Sequence, residues 1–200
     1  MTESVNSREL VLAILLAVTK DGVYSHVAIS DVLTKYQYLE KQERSFITRI
    51  SEGTLERMLE LDYIINQFSS VKVNKMKPVI RCIIRSAVYE MKYMDSVPVS
   101  ASCNEAVKLA KKKGFGKLSG FVNGVLRNIG RNLDKITYPD KEKSYKQYLS
   151  VNYSIPEWMI TLWEKNYSLE QIEKIAEAFL EEEPLTIRCN LTKITPEALA

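Results

Sequence analysis

Apolar residues recur every three or four positions through the first 135 residues of this chain, which is the period of an amphipathic α-helix. Over 118–129, Leu, Phe, Val or Ile occupies positions i, i+3, i+4, i+7, i+8 and i+11. The same stretch contains Asn123-Gly124, a dipeptide that commonly forms the turn of a β-hairpin. A hairpin needs alternating strands on both sides, and neither flank alternates, so we predict a helix. Because glycine weakens a helix, Gly124 predicts either a closely packed neighbouring helix or a surface left open for a ligand.

Six helices are predicted in this part of the chain, and their ends carry residues with known capping preferences. Ser7 is a suitable N-cap for the first helix, and Gly22 ends it. Pro78 suits the first turn of a later helix, and Gly114 suits the position after the next one. The fold class predicted for residues 1–136 is therefore all-α. The predicted helices cover about 7–21, 26–35, 41–68, 78–93, 99–113 and 118–133.

The composition changes after about residue 138. Residues 137–153 are polar, rich in Tyr and Lys and weakly periodic, which suits a linker or a short helix. Ser154 and Ser168 each begin a capping-box sequence, and the second predicted helix runs to Glu183. Residues 185–191 alternate like a strand, and a further helix start follows them. This order of elements describes an incomplete domain over 154–200.

Positive charge is concentrated in one segment of the chain. The formal net charge is +3, but residues 1–136 carry +7 and residues 137–200 carry −4. Residues 108–135 contain eight cations and one acid. Such a cluster favours a polyanionic partner, since Arg and Lys bind phosphates. The alternative is that lysines at a helix C-terminus only complement the helix dipole and are solvated.

Other kinds of site find little support in the sequence. The glycines at 114, 116 and 120 follow a Lys-rich helix and lack the spacing of a dinucleotide-binding loop. His26 is the only histidine, and three separated cysteines form no metal-binding pattern, so no metal is predicted. The longest apolar run has nine residues, too few to cross a membrane. Free cysteines and the lack of a secretory signal favour the cytoplasm.

Residues 87–128 carry a set of motifs that resembles the NusB family, the all-helical fold of the bacterial antitermination factor. The motifs are Ala87-Val88-Tyr89-Glu90, Val97-Pro98, Asn104-Glu105-Ala106-Val107 and the run Phe121–Leu126. Segments upstream fit the same pattern, so the resemblance covers about 1–135. It implies a NusB-like helical bundle that binds RNA.

The sequences "SIPEWMITLWEKNY" and "EEPLTIRCN" resemble the segment that joins a NusB-like domain to the catalytic part of the RsmB (Sun/Fmu) family. These are small-subunit rRNA (cytosine-C5)-methyltransferases. The resemblance implies an RNA-binding domain over 1–136, a linker over 137–153 and the truncated start of an α+β subdomain over 154–200. The implied partners are small-subunit rRNA and a catalytic module that uses S-adenosylmethionine. No cofactor loop or Pro-Cys dipeptide is present, so we expect no catalytic or cofactor-binding residue in this chain.

Two departures from the antitermination proteins affect the predicted RNA surface. Those proteins have an Arg-rich N-terminus, whereas Arg8 is the only cation here before Lys20. Arg127 stands where they usually have an acid. Two rival functions remain open, an antitermination factor with an extension and a protein–protein docking module with incidental charge. The predicted RNA-binding residues are Arg8, Lys111, Lys112, Lys113, Lys117, Asn123, Arg127 and Arg131.

Overall fold

The computed structural model describes residues 5–181 and 188–199, and over these ranges the chain forms α-helices and short 3-10 turns but no strand. Asn6, rather than the predicted Ser7, caps the first helix, because its Oδ1 accepts the Arg8 backbone N–H. The helices are α1 Ser7–Thr19, α2 Ser25–Lys35, α3 Lys41–Glu56, α4 Met58–Phe68, α5 Pro78–Tyr93, α6 Val99–Lys112, α7 Ser119–Arg131, α8 Tyr145–Asn152, α9 Glu157–Trp163, α10 Leu169–Ala178 and α11 Pro196–Leu199.

Helices α1 to α7 share one apolar core with α5 at its centre. α5 packs against α1, α3, α4, α6 and α7, and consecutive helices α6 and α7 pack closely against each other. The predicted apolar stripe of α7 faces inward, since Val122, Val125, Leu126 and Ile129 are all buried. The helical interpretation of this segment is confirmed, and the hairpin alternative is excluded.

The glycines of the bundle fall into two environments. A Cβ added at Gly124 or Gly120 would meet no atom within 4 Å, so the surface of α7 is open there. A Cβ at Gly53 would overlap the ring of Tyr89, and one at Gly130 would overlap the side chain of Val99. Close helix packing therefore explains Gly53 and Gly130, whereas Gly124 lies on open surface.

The single helix predicted over 41–68 is wrong, because the chain breaks between α3 and α4 at Arg57, which has φ −92° and ψ 17°. No Pro or Gly marks this position. The guanidinium of Arg57 lies 5.5 Å from the ring centroid of Tyr93, and one of its nitrogens lies 3.5 Å from the carbonyl oxygen of Asn152. Since these partners are remote in sequence, the apolar period could not reveal the break.

Helices α8, α9 and α10 enclose a second, smaller cluster of Leu149, Ile155, Ile160, Ile172 and Ala176. The capping box predicted at Ser168 is confirmed by the reciprocal bonds with Gln171. α10 ends at Ala178, earlier than predicted, and residues 182–187 lie outside the described part of the chain. Of the strand predicted over 185–191, residues 188–191 are described and are not a strand.

The capping box predicted at Ser154 is wrong. α9 begins at Glu157 with Pro156 as its N-cap. Ser154 has a left-handed backbone with φ 52°, and its hydroxyl accepts the backbone N–H of Glu60 at 3.3 Å. This serine therefore binds the first turn of α4 instead of its own helix.

A buried carboxylate fixes the segment after the bundle to α4. The side chain of Glu60 is 4% exposed and accepts hydrogen bonds from Lys92 and Tyr93 of α5 and from Tyr138, the last at 2.7 Å. Burial and then the bonds to Glu60 raise the pKa of both tyrosines. Residues 137–153 thus include α8 and pack on α4, so they are an ordered connection.

The two glycine environments predict opposite effects of alanine. Gly124→Ala adds a methyl group to open helix surface and should raise the free energy of unfolding by about 0.5–1 kcal/mol. Gly53→Ala should lower it by about 1–3 kcal/mol, because the methyl group meets the Tyr89 ring. Urea denaturation followed by far-UV circular dichroism measures both. Effects of the same sign would contradict the assignment of Gly124 to open surface and of Gly53 to a close helix contact.

Removing the Tyr138 hydroxyl should weaken the attachment of the following segment. Tyr138→Phe takes one donor from the buried Glu60 carboxylate, so we expect the free energy of unfolding at neutral pH to fall by about 1 kcal/mol. The raised tyrosine pKa values mean that this stability is present below about pH 10 and is lost as the pH rises further. Urea denaturation at several pH values measures it.

Tyr167→Phe is the matched control for this variant. Tyr167 is 47% exposed, and its hydroxyl makes no hydrogen bond to any residue the structure describes. Its substitution should leave stability unchanged within about 0.5 kcal/mol. Equal losses in the two variants would show that the bond to Glu60 contributes nothing specific.

Candidate nucleic-acid interface

The outer side of α7 carries cations separated by open glycines. Its solvent-facing residues recur at helical spacing, opposite the buried stripe, and Lys117 precedes them in the 3-10 turn Gly116–Leu118. Because glycine has no side chain, the backbone between the cations is accessible to a ligand. We call this surface the α7 face. It consists of Lys117, Gly120, Asn123, Gly124, Arg127 and Arg131.

Hydrogen bonds within the α7 face order its polar side chains. Arg127 Nε donates to Asn123 Oδ1 at 2.9 Å, and Arg131 Nε donates to the carbonyl oxygen of Arg127 at 3.2 Å. Within the described ranges, no carboxylate forms an ion pair with Lys117, Arg127 or Arg131. Their charge is thus left for a partner.

The lysines at the end of α6 lie in a different environment. Lys112 Nζ is 2.6 Å from Glu9 Oε2, and Lys113 Nζ is 2.9 Å from Glu9 Oε1. Burial raises the pKa of Glu9, but the two lysines outweigh that effect and the pKa lies below its ordinary value. Glu9 is therefore ionised at neutral pH and offsets part of the lysine charge. Lys111 is exposed and makes no ion pair to a described carboxylate.

Arg8 is bound within the bundle, in contrast to the surface role predicted for it. Its Nε and a terminal nitrogen lie 2.9 and 2.6 Å from the carboxylate of Glu90, which is buried and also accepts the Ser102 hydroxyl at 3.0 Å. The guanidinium carbon lies 5.1 Å from the ring centroid of Phe46. Since breaking a buried ion pair costs about 3–5 kcal/mol, this arginine serves the fold.

A second basic segment was missed by the sequence analysis. Residues 63–89 contain five cations and no acid, as a charge count over that range would have shown. Two of these cations, Lys75 and Lys77, line a groove of about 350 Å³ whose opposite wall contains Leu118 and Phe121. The groove adjoins the α7 face, because Leu118 and Phe121 lie beside Lys117 and Gly120 in the chain. We call it the Phe121 groove. Its lining consists of Val71, Lys75, Met76, Lys77, Ile80, Leu118 and Phe121.

The remaining reactive side chains form no site of their own. Cys82 and Cys103 are buried, and burial raises the pKa of both thiols. Cys189 Sγ donates to the carbonyl oxygen of Ile194 at 3.1 Å. Among the residues with described positions, no three His, Cys, Asp or Glu side chains are grouped as metal ligands would be. None of the described helices combines the length and the apolar character needed to cross a membrane.

Family models match two successive parts of the chain. The model of the NusB family matches residues 5–131. The model of the RsmF/B-like methyltransferase, ferredoxin-like domain matches residues 155–200. Both resemblances inferred from the sequence motifs are confirmed by these matches.

Individual relatives come from both kinds of protein. The probable ribosomal RNA small subunit methyltransferase B of Bacillus subtilis is 33% identical over 190 residues, which cover 93% of this chain and 41% of that relative. The chain thus spans about two fifths of the length of this relative. The transcription antitermination protein NusB of the same bacterium is 34% identical over 130 residues, covering 64% of this chain and 95% of that protein.

A solved structure supports the fold. T. maritima NusB superimposes with a TM-score of 0.54 and 23% identity, covering 64% of this chain and 92% of that one. The all-α NusB-like bundle predicted from the sequence is therefore confirmed. From the match over 5–131 and the near-complete coverage of the Bacillus subtilis NusB protein, the chain belongs to the NusB family, and its residues 155–200 match the RsmF/B-like ferredoxin-like domain.

Proposed function

We propose that this chain is the RNA-binding region of a small-subunit rRNA cytosine-C5 methyltransferase. In this role it holds rRNA while a catalytic module, which these 200 residues do not contain, modifies a cytosine. The observation that carries the proposal is the α7 face of a NusB bundle, where the open glycines Gly120 and Gly124 lie between cations that have no ion pair to a described carboxylate. The match of residues 155–200 to the RsmF/B-like domain supports the methyltransferase over other users of the NusB fold.

The α7 face has the chemistry that RNA requires. Lys117 and Arg131 are 14 positions apart in the chain, which at about 1.5 Å per helical residue is roughly 20 Å along the axis. Arginines and lysines over this length bind successive phosphates without reading sequence. Asn123 lies beside Gly124, where an amide can reach a 2′-hydroxyl or a base edge.

The proposed domain boundaries follow the two apolar clusters. Residues 1–136 form the RNA-binding domain, and 137–153 connect it to 154–200, the start of the α+β subdomain. Ile136 still packs against the bundle core, whereas Tyr145 packs against the second cluster, which supports a boundary between them. The hydrogen bond from Tyr138 to Glu60 anchors this connection to α4.

No cradle for S-adenosylmethionine is found among the residues that the structure describes. Its usual cradle is a glycine-rich loop after a strand, and the described residues contain no strand that precedes such a loop. The sequence also has no Pro-Cys dipeptide. In this proposal the cofactor belongs to the catalytic module, and no chemical step is assigned to this chain. The protein acts where ribosomes are assembled, in the cytoplasm.

An antitermination factor of the NusB type is the second candidate, because NusB proteins match the bundle over nearly their whole length. The observation against it is the segment over 155–200, which matches a methyltransferase domain. A docking module for proteins is the third candidate. A docking function predicts weak RNA binding that does not depend on the cations of α7.

Charge reversal on the α7 face tests the proposal. Arg127→Glu should weaken binding of a folded small-subunit rRNA fragment several-fold at moderate salt, because it removes a phosphate contact and adds repulsion. The slope of log K against log salt should fall by about one. Fluorescence anisotropy at two or more salt concentrations measures both quantities.

Lys174→Glu is the matched control, since it makes the same change of charge on α10, where Lys174 is exposed and has no ion pair to a described carboxylate. It should leave affinity nearly unchanged. Equal weakening by the two variants would show that the loss of affinity depends only on the net charge of the protein. No weakening by Arg127→Glu would contradict the proposal and favour a protein partner.

Neutralising Glu9 tests the proposal through an expected gain in RNA affinity. Glu9→Gln removes the carboxylate that pairs with Lys112 and Lys113, so the net positive charge that a phosphate meets at the end of α6 rises by one. We expect several-fold tighter RNA binding and a steeper salt slope, by about one or two. The same anisotropy titration measures the change.

Glu173→Gln is the control for this variant, because Glu173 of α10 pairs with Lys141 in a similar way but away from α6 and α7. It should tighten binding little. If Glu9→Gln also leaves affinity unchanged, Lys112 and Lys113 do not belong to the RNA surface.

A further inference from the structure

An open groove of about 690 Å³ follows the outer side of α3. Eight of its lining residues lie on one side of this helix at helical spacing, from Lys41 to Glu56, and Tyr89 of α5 lies at its bottom. We call this surface the α3 groove. Apart from one glycine, α3 lines it with charged and hydroxyl side chains only, so a ligand of the groove is polar.

The charges of the α3 groove run against the dipole of the helix. Lys41 is the first residue of α3 and Glu56 is the last, and the last turn contains no base. Glu43, the acid of the first turn, is half-buried and does not line the groove. Because acids stabilise a helix N-terminus and bases its C-terminus, both ends of the groove carry the unfavourable sign. An opposite charge brought to each end would remove this cost.

The exposed charges of the α3 groove have no ion-pair partner in the described part of the chain. This is true of the cations Lys41 and Arg49 and of the acids Glu52 and Glu56. Arg49 donates one hydrogen bond, to the carbonyl oxygen of Tyr93 at 3.3 Å. The groove therefore offers unpaired cations in one half and unpaired acids in the other.

A hydroxyl at the bottom of the groove also lacks a partner. Tyr89 is only 8% exposed, and the hydroxyl end of its ring lies against Gly53, where α3 has no side chain. This hydroxyl makes no hydrogen bond to any residue with a described position. Polar groups buried to this degree are normally paired, so a group that enters the groove at Gly53 can bond to it.

We propose that the α3 groove binds the α3 groove of a second copy of this chain, with the two helices antiparallel about a two-fold axis. The axis passes between Thr48 and Arg49. Each residue on one side of it then faces the residue equally far along the other copy on the other side. The facing pairs are Lys41 with Glu56, Arg44 with Gly53, Ser45 with Glu52 and Thr48 with Arg49.

Every facing pair in this register is chemically complementary. A cation meets an acid, a serine hydroxyl meets a carboxylate, and a threonine hydroxyl meets a guanidinium. Arg44, which already donates to the carbonyl oxygen of Leu33 at 2.8 Å, faces Gly53 and can donate a second bond to the Tyr89 hydroxyl beneath it. Each Glu56 also lies at the N-terminus of the opposite helix, which corrects the sign at both ends.

Other occupants fit the groove less well. RNA meets repulsion from Glu52 and Glu56 over half of its length, and a second copy in the parallel sense would place like charges against each other. A two-fold contact is self-complementary, and the antiparallel register meets that requirement.

The size of the groove sets the strength of the dimer. A helix of 16 residues is about 24 Å long and 10 Å wide, so each copy contributes a few hundred Å², below the roughly 800 Å² of a standard interface. We therefore expect a weak, salt-sensitive dimer. α3 packs on α1, α2, α4 and α5, and α7 is not among its main neighbours, so the α7 face of each copy stays free. The inference goes beyond the proposed function and does not rest on it.

Exchange of the two end charges tests the dimer on the 200-residue chain. Sedimentation equilibrium of the wild type should give a Kd of about 10–100 μM at low salt and a several-fold larger one at high salt. Lys41→Glu and Glu56→Lys should each raise the Kd at least tenfold, since each places like charges together at both ends of the contact. The double variant Lys41→Glu/Glu56→Lys should return to within about threefold of the wild type.

Restoration by the double variant reports a contact between copies. Positions 41 and 56 are roughly 22 Å apart along one helix, too far to pair within a copy. Each single variant also gives its helix end the sign that the dipole favours, so neither should lower the temperature of thermal unfolding. Lys174→Glu, the same change of charge on α10, is the matched control, and its effect on the Kd should be no more than about twofold.

Tyr89→Phe is an independent variant, because it removes a hydroxyl that has no described partner within one copy. It should raise the Kd several-fold and leave thermal unfolding at low protein concentration unchanged. A wild type that stays monomeric up to about 500 μM, above the Kd expected of a small interface, would overturn the inference. So would a dimer that Lys41→Glu weakens no more than Lys174→Glu does, or a double variant that stays as weak as the single ones.

Discussion

Burial of α5 is the constraint on which the arrangement of the bundle depends. This helix packs against five others, and its charged side chains Arg85 and Glu90 are buried inside the protein. Glu90 pairs with Arg8 of α1, and Arg85 makes a two-pronged ion pair with Asp62 of α4, both contacts at 2.6 Å. Because a buried charge without its partner is strongly destabilising, these pairs fix which helices surround α5.

The same pairing divides the cations of the bundle into two groups. Arg8, Arg85 and Lys92 have buried or half-buried carboxylate partners and hold helices together. Arg127 and Arg131 have no described carboxylate partner and lie on the outer side of α7. The charge excess of the first 136 residues therefore gathers on a few surfaces instead of spreading evenly. Composition alone could not make this distinction, since it counts both groups alike.

The fold could be predicted from the sequence where local signals decide it. The period of 118–129 located α7 and its buried face, and the Ser168 capping box located the start of α10. The break at Arg57 and the role of Ser154 could not be predicted, because each depends on a contact across about 95 residues. Local propensity is a weak guide wherever tertiary contacts compete with it.

The candidate site shows the same division between local and long-range information. The position of Arg127 on an exposed helical face followed from spacing alone. The pairing of Glu9 with Lys112, 103 positions away, did not, and it changes how much positive charge the end of α6 offers. The groove beside Phe121 was also hidden, since its two walls come from distant segments. A charge count by segment finds both walls, because acids are absent from 63–89 and from 106–133.

The two parts of the chain carry opposite net charges, and both charges act on a polyanion that approaches the protein. Residues 1–136 carry +7 and residues 137–200 carry −4, and the ordered connection on α4 holds the two parts in contact. Surface charges interact over a Debye length of about 8 Å at physiological salt, so the nearest surface dominates at close range. RNA that approaches α9 and α10 meets repulsion, whereas RNA that approaches α7 meets attraction. In the proposed function, this bipolar arrangement selects the face on which RNA lies before any base is contacted.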